Sequence, residues 1–353
     1  MNILGLHHIS IVAQNAQRTV DFYTNVLGFR FVKKTVNFDN PASYHLYFGD
    51  ENGSPATVVT FFEIPNAHQG YPGVGGTHHV AFGVADYDGL LQWKRRLTDL
   101  SISVSGPLDR HYFTSIYFRD PDGTIIEIAT MGPGWTVDEP LDQLGTEYRE
   151  PPAQMIVNNR DEERIRATTW PDPIPVITPH MKLQGMHHIT AISSDIQRTH
   201  AFFSDLLGLR LVKRTSNFDD PNSAHWYWGV DDGRPGTLIT YFERDPEAGR
   251  VRLGMGQTHH FAFAVADEAA LLEARDRLVQ AGISVSPVKD RKYFKSIYTN
   301  DPDGHVVELA TNGPGFMVDE SFETLGKNLM LPPWLETQRD QLEKVLTPIQ
   351  TGG

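Results

Sequence analysis

Four adjacent histidine pairs, His7-His8, His78-His79, His187-His188 and His259-His260, mark a chain of 353 residues that has 15 histidines and no cysteine. Without thiols there are no disulfides, thiolate metal sites, iron–sulfur clusters or thiol nucleophile. Two short apolar runs each enclose one carboxylate at the same place: Glu127 in DPDGTIIEIAT and Glu308 in DPDGHVVELAT. A carboxylate buried among Ile, Val and Leu costs several kcal/mol unless a cation or a proton neutralises it. Strand alternation could instead turn it to solvent, and composition alone leaves both readings open. Two neutral imidazoles plus one carboxylate form the facial triad that leaves positions open on a divalent metal. Such a site suits non-haem Fe(II) for O2 chemistry, or Mn, Zn or Ni acting as a Lewis acid. A phosphate loop, a GxGxxG after a strand, a GxSxG elbow and an HExxH helix are all absent.

Hairpin register adds two side chains to each carboxylate. Asp301-Pro302-Asp303-Gly304-His305 suits a three-residue loop with Pro at the first central position and Gly in the left-handed region. Pairing Asp301 with His305 places Tyr298 opposite Glu308, and the same counting places Tyr117 opposite Glu127. Arg291 and Arg110 stand seven residues before these tyrosines and offer a positive charge. DPDG lacks the remaining ligands of a calcium loop at proper spacing, so it reads as a turn.

The elements that must position these groups form a repeat. Residues 6–63 align without a gap to 186–243, at an offset of 180, and the match continues through THHVAFGVAD and THHFAFAVAD. Each half repeats again at a weaker level, because a histidine-headed strand recurs about seventy residues on and is followed by a helix and further strands. RTVDFYTNVLG carries apolar residues at helical spacing and ends at Gly28; DGLLQWKRRLTDL does the same in the next unit. The short runs FRFVKKTV, SYHLYFG and TVVTFFEI read as strands. The pattern predicts four β-α-β-β-β units: a first half over residues 1–135, a linker over 136–184, a second half over 185–317 and a tail over 318–353. The linker is rich in Pro and charge and is expected to wrap over the surface. Successive strand side chains face opposite ways, so one histidine of each pair can face a given cavity and the other must support it or point away.

Lys and Arg total 31 against 44 Asp and Glu, a formal charge of −13. A surface this acidic argues against nucleic acid and anionic membranes as partners. Neither a signal peptide nor a long apolar span is legible, which predicts a cytoplasmic protein. Self-association stays open, with the linker and tail as interface material.

The HHISIV, HHITAI and HHFAFAV strands, the RTVDFYTNVLG helix and the DPDG-x-x-x-E hairpin resemble the vicinal oxygen chelate superfamily. That superfamily contains glyoxalase I, fosfomycin and bleomycin resistance proteins and extradiol ring-cleaving dioxygenases. More narrowly, LHHIS, FVKKT, YHLYFGDENGSPAT and the DR-x-YF-x-S-x-Y hairpin resemble its hydroquinone-type ring-cleaving group. The resemblance implies an α+β fold whose βαβββ modules pair into curled-sheet cups around a metal. It implies His8, His260 and Glu308 as ligands, supported by His7, Ser10, His259, Arg291 and Tyr298, and requires module one to pair with module four. This chain departs from the usual single set by also keeping His79, Glu127 and His188. Pairing modules two and three would complete a second triad; consecutive pairing would give His8/His79/Glu127 and His188/His260/Glu308 instead. The function implied is an Fe(II)-dependent ring-cleaving dioxygenase acting on a hydroquinone- or catechol-like aromatic and O2. The alternatives are a glyoxalase-type isomerase or thiol transferase using Zn, Ni or Mn, and a metal-free binding protein of the resistance type.

Overall fold

The computed structural model describes residues 2–350. Each of the four modules is a strand, a helix and three further strands, as the periodicity predicts. Module one holds β1 (Ile3–Ala13), β2 (Arg30–Asn37), β3 (Asn40–Gly49) and β4 (Val58–Glu63). Module two holds β5 (Gly76–Val84), β6 (Ser105–Asp109), β7 (Thr114–Arg119) and β8 (Ile125–Thr130). Module three holds β9 (Met186–Ser193), β10 (Arg210–Asn217), β11 (Asp220–Gly229) and β12 (Leu238–Glu243). Module four holds β13 (Thr258–Val265), β14 (Lys289–Asp290), β15 (Lys295–Asn300) and β16 (Val306–Thr311).

The sheets decide how the modules pair. One eight-stranded sheet runs β14-β15-β16-β13-β1-β4-β3-β2 and the other β10-β11-β12-β9-β5-β8-β7-β6. Module one therefore joins module four through the antiparallel β1–β13 pair, and module two joins module three through β5–β9. Consecutive pairing is excluded. The two segments that lead from one module to the next, before β5 and before β13, zip against each other through bridges Gln69–Met255, Tyr71–Arg252 and Val74–Arg250. The DPDG turns bind the cups together as well. Asp122 accepts the backbone N–H of Gln14 and pairs with Arg18, and Asp303 accepts from the backbone N–H and hydroxyl of Ser194.

Helices cover the outer faces of the sheets. They start where Asn15, Asp86, Asp195 and Asp267 cap free backbone N–H groups with their side chains. The first helix differs from simple α periodicity. It is α-helical over Ala16–Asp21, widens to π geometry over Phe22–Val26, and stops at Gly28, whose φ of 75° favours glycine. The wider turn lets the consecutive aromatics Phe22 and Tyr23 both be buried; Phe202 and Phe203 repeat this in module three.

The linker and the tail lie on the sheets as two equivalent straps. Lys213 on β10, fully buried, binds Asp138 at 2.6 Å and Glu139; Lys33 on β2 binds Asp319 at 2.7 Å and Glu320 at 2.6 Å. The repeated Val-Asp-Glu sequences at 137–139 and 318–320 are thus the anchors of the straps.

Candidate metal centres

All four histidine pairs sit on irregular strands. The β1–β13 ladder shifts register between Leu6 and His8 and between His260 and Thr258; the β5–β9 ladder does so between Thr77 and His79 and between His188 and Met186. An extra residue in a strand re-aims side chains, so both imidazoles of a pair lie on one side rather than on opposite faces. The Nδ1 atoms of His7 and His8 are 2.8 Å apart, and the other three pairs match at 2.8–2.9 Å. A proton shared between two Nδ1 atoms leaves Nε2 of the second histidine free to act as a ligand.

Those Nε2 atoms converge on the carboxylates. In the terminal cup, formed by modules one and four, His8 and His260 lie 3.2 Å apart, and Glu308 Oε2 lies 3.3 and 2.8 Å from them. In the middle cup, formed by modules two and three, the His79–His188 distance is 3.3 Å. Glu127 Oε2 lies 2.8 Å from His79 and 3.3 Å from His188. Donors about 2.1 Å from a metal and at right angles to one another lie about 3 Å apart, against about 3.4 Å for a tetrahedron. Both triads thus have the dimensions of one face of an octahedron. Each set is a cluster able to hold a metal ion.

The carboxylates show what is missing from such a cluster. Glu127 and Glu308 are completely buried, and Oε2 of each lacks a hydrogen bond of acceptable geometry despite its imidazole neighbours. Their other oxygens are held: Ser115 donates to Glu127 Oε1 and Ser296 to Glu308 Oε1. Burial alone would raise these carboxyls, but the flanking histidines hold both well below the usual range. Burial presses His260 down to about 4 despite Glu308, and presses His7, His78 and His187 down to about 3. An ionised glutamate set between two imidazoles, with one oxygen orphaned, is a donor set for a divalent cation.

The register read from the hairpins holds in both cups. Tyr298 pairs with Glu308 and Tyr117 with Glu127. Arg291 Nε donates to the Tyr298 hydroxyl at 3.1 Å, and Arg110 makes the longer equivalent bond to Tyr117 at 3.4 Å. Asp39 pairs with Arg291 at 3.3 Å and Asp219 with Arg110 at 2.6 Å. Burial pushes the Tyr298 and Tyr117 hydroxyls above the usual phenol range. His7 is buried behind His8, whereas His259 is exposed beside His260. Ser10 is buried on β1 and bonds Thr60 at 2.7 Å.

Ser10 leads to residues that sequence reasoning passed over. Thr60 continues to His45 at 2.9 Å and His45 to Tyr47 at 2.9 Å; Thr190, Thr240, His225 and Tyr227 repeat the chain in the middle cup. His45 and Tyr47 line the terminal cavity, and His225 and Tyr227 the middle one. The signal was present in SYHLYFG and SAHWYWG, where a histidine and a tyrosine recur at the repeat offset. Ser115 and Ser296 recur in the same way.

The family model of the glyoxalase/bleomycin resistance protein/dioxygenase superfamily matches residues 5–128 and 185–309. The chain belongs to this superfamily. It is similar over nearly its full length to ring-cleaving enzymes. Chlorohydroquinone/hydroquinone 1,2-dioxygenase of Sphingobium indicum is 30% identical, over 97% of this chain and 95% of that protein. MhqA of Bacillus subtilis, provisionally named a ring-cleaving dioxygenase, is 32% identical over 99% of this chain and 100% of its own length. A crystal structure of a provisionally named dioxygenase from Bacillus subtilis superposes with a TM-score of 0.79 at 30% identity, covering 99% of this chain and 98% of that one. Glyoxalase I of Zea mays superposes at 0.57 with 16% identity, over 87% of this chain and 92% of that one, which shows a shared fold. Among the described residues no helix is long and apolar enough to cross a membrane.

Proposed function

We propose that the protein is a metal-dependent dioxygenase that cleaves the ring of a hydroquinone- or catechol-like aromatic, with Fe(II) as its native metal. The observation that carries this reading is the pair of buried two-histidine, one-glutamate triads, each with an orphaned carboxylate oxygen. The full-length similarity to hydroquinone 1,2-dioxygenase supports the choice of substrate and reaction.

His8, His260 and Glu308 would hold one metal, and His79, His188 and Glu127 a second. When bound, Fe(II) supplies sites for O2 and for a substrate hydroxyl, and lowers the pKa of that hydroxyl. The chain's own residues bind, orient and protonate. Arg291 donates to the Tyr298 oxygen in the terminal cup and Arg110 to the Tyr117 oxygen in the middle cup, so in either cup the phenol proton is free to be given to a substrate oxygen. The raised pKa of each tyrosine keeps that proton in place at neutral pH. Arg291 and Arg110 also offer charge to an anionic substrate oxygen. His7 and His259 act through the ligands as positioning residues, because each touches a ligand Nδ1. Ser10 positions the Thr60–His45–Tyr47 chain in the cavity wall.

The test is anaerobic loading with Fe(II), followed by O2-uptake assays with a series of hydroquinones and catechols. Stoichiometric uptake and a ring-opened product are expected. No uptake across both series, with metal demonstrably bound, refutes the reading. A glyoxalase-type isomerase would turn over without O2 and with Zn, Ni or Mn, so the same preparation separates the two.

A further inference from the structure

The two cups carry the same reactive groups and differ in space and charge. The cavity over His8, His260 and Glu308 measures about 30 Å3, and the cavity over His79, His188 and Glu127 about 360 Å3. A volume of ~30 Å3 is one water molecule's share of the liquid, while a cavity of roughly 150 Å3 accepts benzene. The straps beside the two cups differ as well. After Pro332-Pro333 the tail places Trp334 edge-on against Phe38 in the terminal cavity wall, 5.7 Å between ring centres. After Pro151-Pro152 the linker carries Ala153 at the corresponding step.

Charge separates the cups further. Arg244 lines the middle cavity, where the repeat puts Ile64 in the terminal cup. Arg110 and Arg160 both bind Asp219, at 2.6 and 2.5 Å, and Asp220 is exposed. Arg244 is half-buried, and its guanidinium finds no hydrogen-bond or ion-pair partner among the described residues. Leu108 replaces Lys289, the lysine that lies over the Tyr298 ring in the terminal cup. The roomy cup therefore lacks that lysine beside its tyrosine, keeps Arg110 there paired with Asp219, and carries one uncommitted cation, Arg244.

We propose that the middle cup is the compartment that takes the aromatic ring, and that this ring carries an anionic substituent, a carboxylate or a group of like charge, bound by Arg244. The substrate class rests on the ring-cleavage reading above; the cavity and its cation do not. A guanidinium matches a carboxylate with two parallel hydrogen bonds, a geometry that uncharged hydroquinone cannot satisfy.

The experiment uses full-length protein loaded with Zn(II), which binds without turnover, titrated calorimetrically with 2,5-dihydroxybenzoate and with hydroquinone. One ring should bind per chain, with 2,5-dihydroxybenzoate favoured roughly tenfold or more. In Arg244→Leu that preference should collapse to about unity, and Arg244→Lys should restore part of it. Leu108→Trp, which fills the cavity, should abolish binding of both probes while metal content stays unchanged. Absence of binding by the loaded parent overturns the proposal, as do two rings per chain. Binding indifferent to Leu108→Trp, or a preference unchanged in Arg244→Leu, overturns it too. Failure of the ring-cleavage reading looks different: no O2 uptake by the Fe(II) form while the titrations come out as expected.

Discussion

Replacing Glu308 by Gln separates a metal ligand from a structural ion pair. Glutamine keeps the volume and can still accept from Ser296, but it removes the charge. If Glu308 were the partner of a protonated His8 or His260, loss of that charge would leave a buried cation and cost about 3–5 kcal/mol. The pressure of burial on His260, down to about 4, says that this ring is neutral near pH 7. Burial and the orphaned oxygen work against the carboxylate while the flanking histidines favour its ionised form, so the metal-free Glu308→Gln protein is expected to lose less than a buried cation would cost, at most about 1–3 kcal/mol. Metal widens the gap. A cation at 100 times its Kd stabilises by about 2.7 kcal/mol per site. With roughly 2.1 cal/mol/K of unfolding entropy per residue, a chain of 353 residues gains about 4 °C in Tm per filled site. Scanning calorimetry of chelator-treated and metal-loaded protein, with metal content measured alongside, should show two metals and about 7 °C for the parent. One metal and about 4 °C are expected for the variant. A metal-free variant melting more than about 4 °C below the parent, or one that still binds two metals, refutes the assignment.

Ser115→Ala frees one oxygen of Glu127 from its hydrogen bond and should weaken metal binding in the middle cup by about 10–100-fold, read by chelator competition. Lys213→Met leaves Asp138 and the buried Glu139 without their cation and should destabilise the fold by roughly 3–5 kcal/mol in urea titration. His305, buried against Phe261 and Thr77, has its pKa pressed down to about 3 by burial. Between that value and the ordinary 6.5 the unfolded chain binds the proton and the folded chain does not, so stability falls as pH drops through this window. His305→Thr, the residue that Thr124 supplies in the first half, should remove up to about 1.4 kcal/mol per pH unit from the acid slope. An unchanged slope between pH 4 and 6.5, measured with chelator present, would show that His305 is not held neutral.

Much of the site was legible because the chain repeats itself. His8, His79, His188 and His260 stand out by recurrence, and the turn chemistry of DPDG was enough to set Tyr298 opposite Glu308. Ser115, Ser296, His45 and His225 recurred just as clearly, but a serine or histidine on an apolar strand has many structural uses. Only contact with a carboxylate or with a cavity distinguishes them. The histidine pairs also needed the structure. Strand alternation predicts opposite faces, and the register shifts that bring both rings to one side follow from ladder geometry between distant modules.

By itself the sequence determined the ligand chemistry: no cysteine, hence nitrogen and oxygen donors, and four histidine-headed modules whose local patterns specify strands, helices and hairpins. Those patterns are local, and each module would present the same open strand edge to any other. Tertiary structure decided which edges meet, through the β1–β13 and β5–β9 pairs, and so which histidine shares a metal with which glutamate. It also decided that two chemically equivalent triads lie under cavities of about 30 and 360 Å3. Cavity volume depends on how the linker and tail pack over the cups, and packing of that kind is a property of the assembled chain.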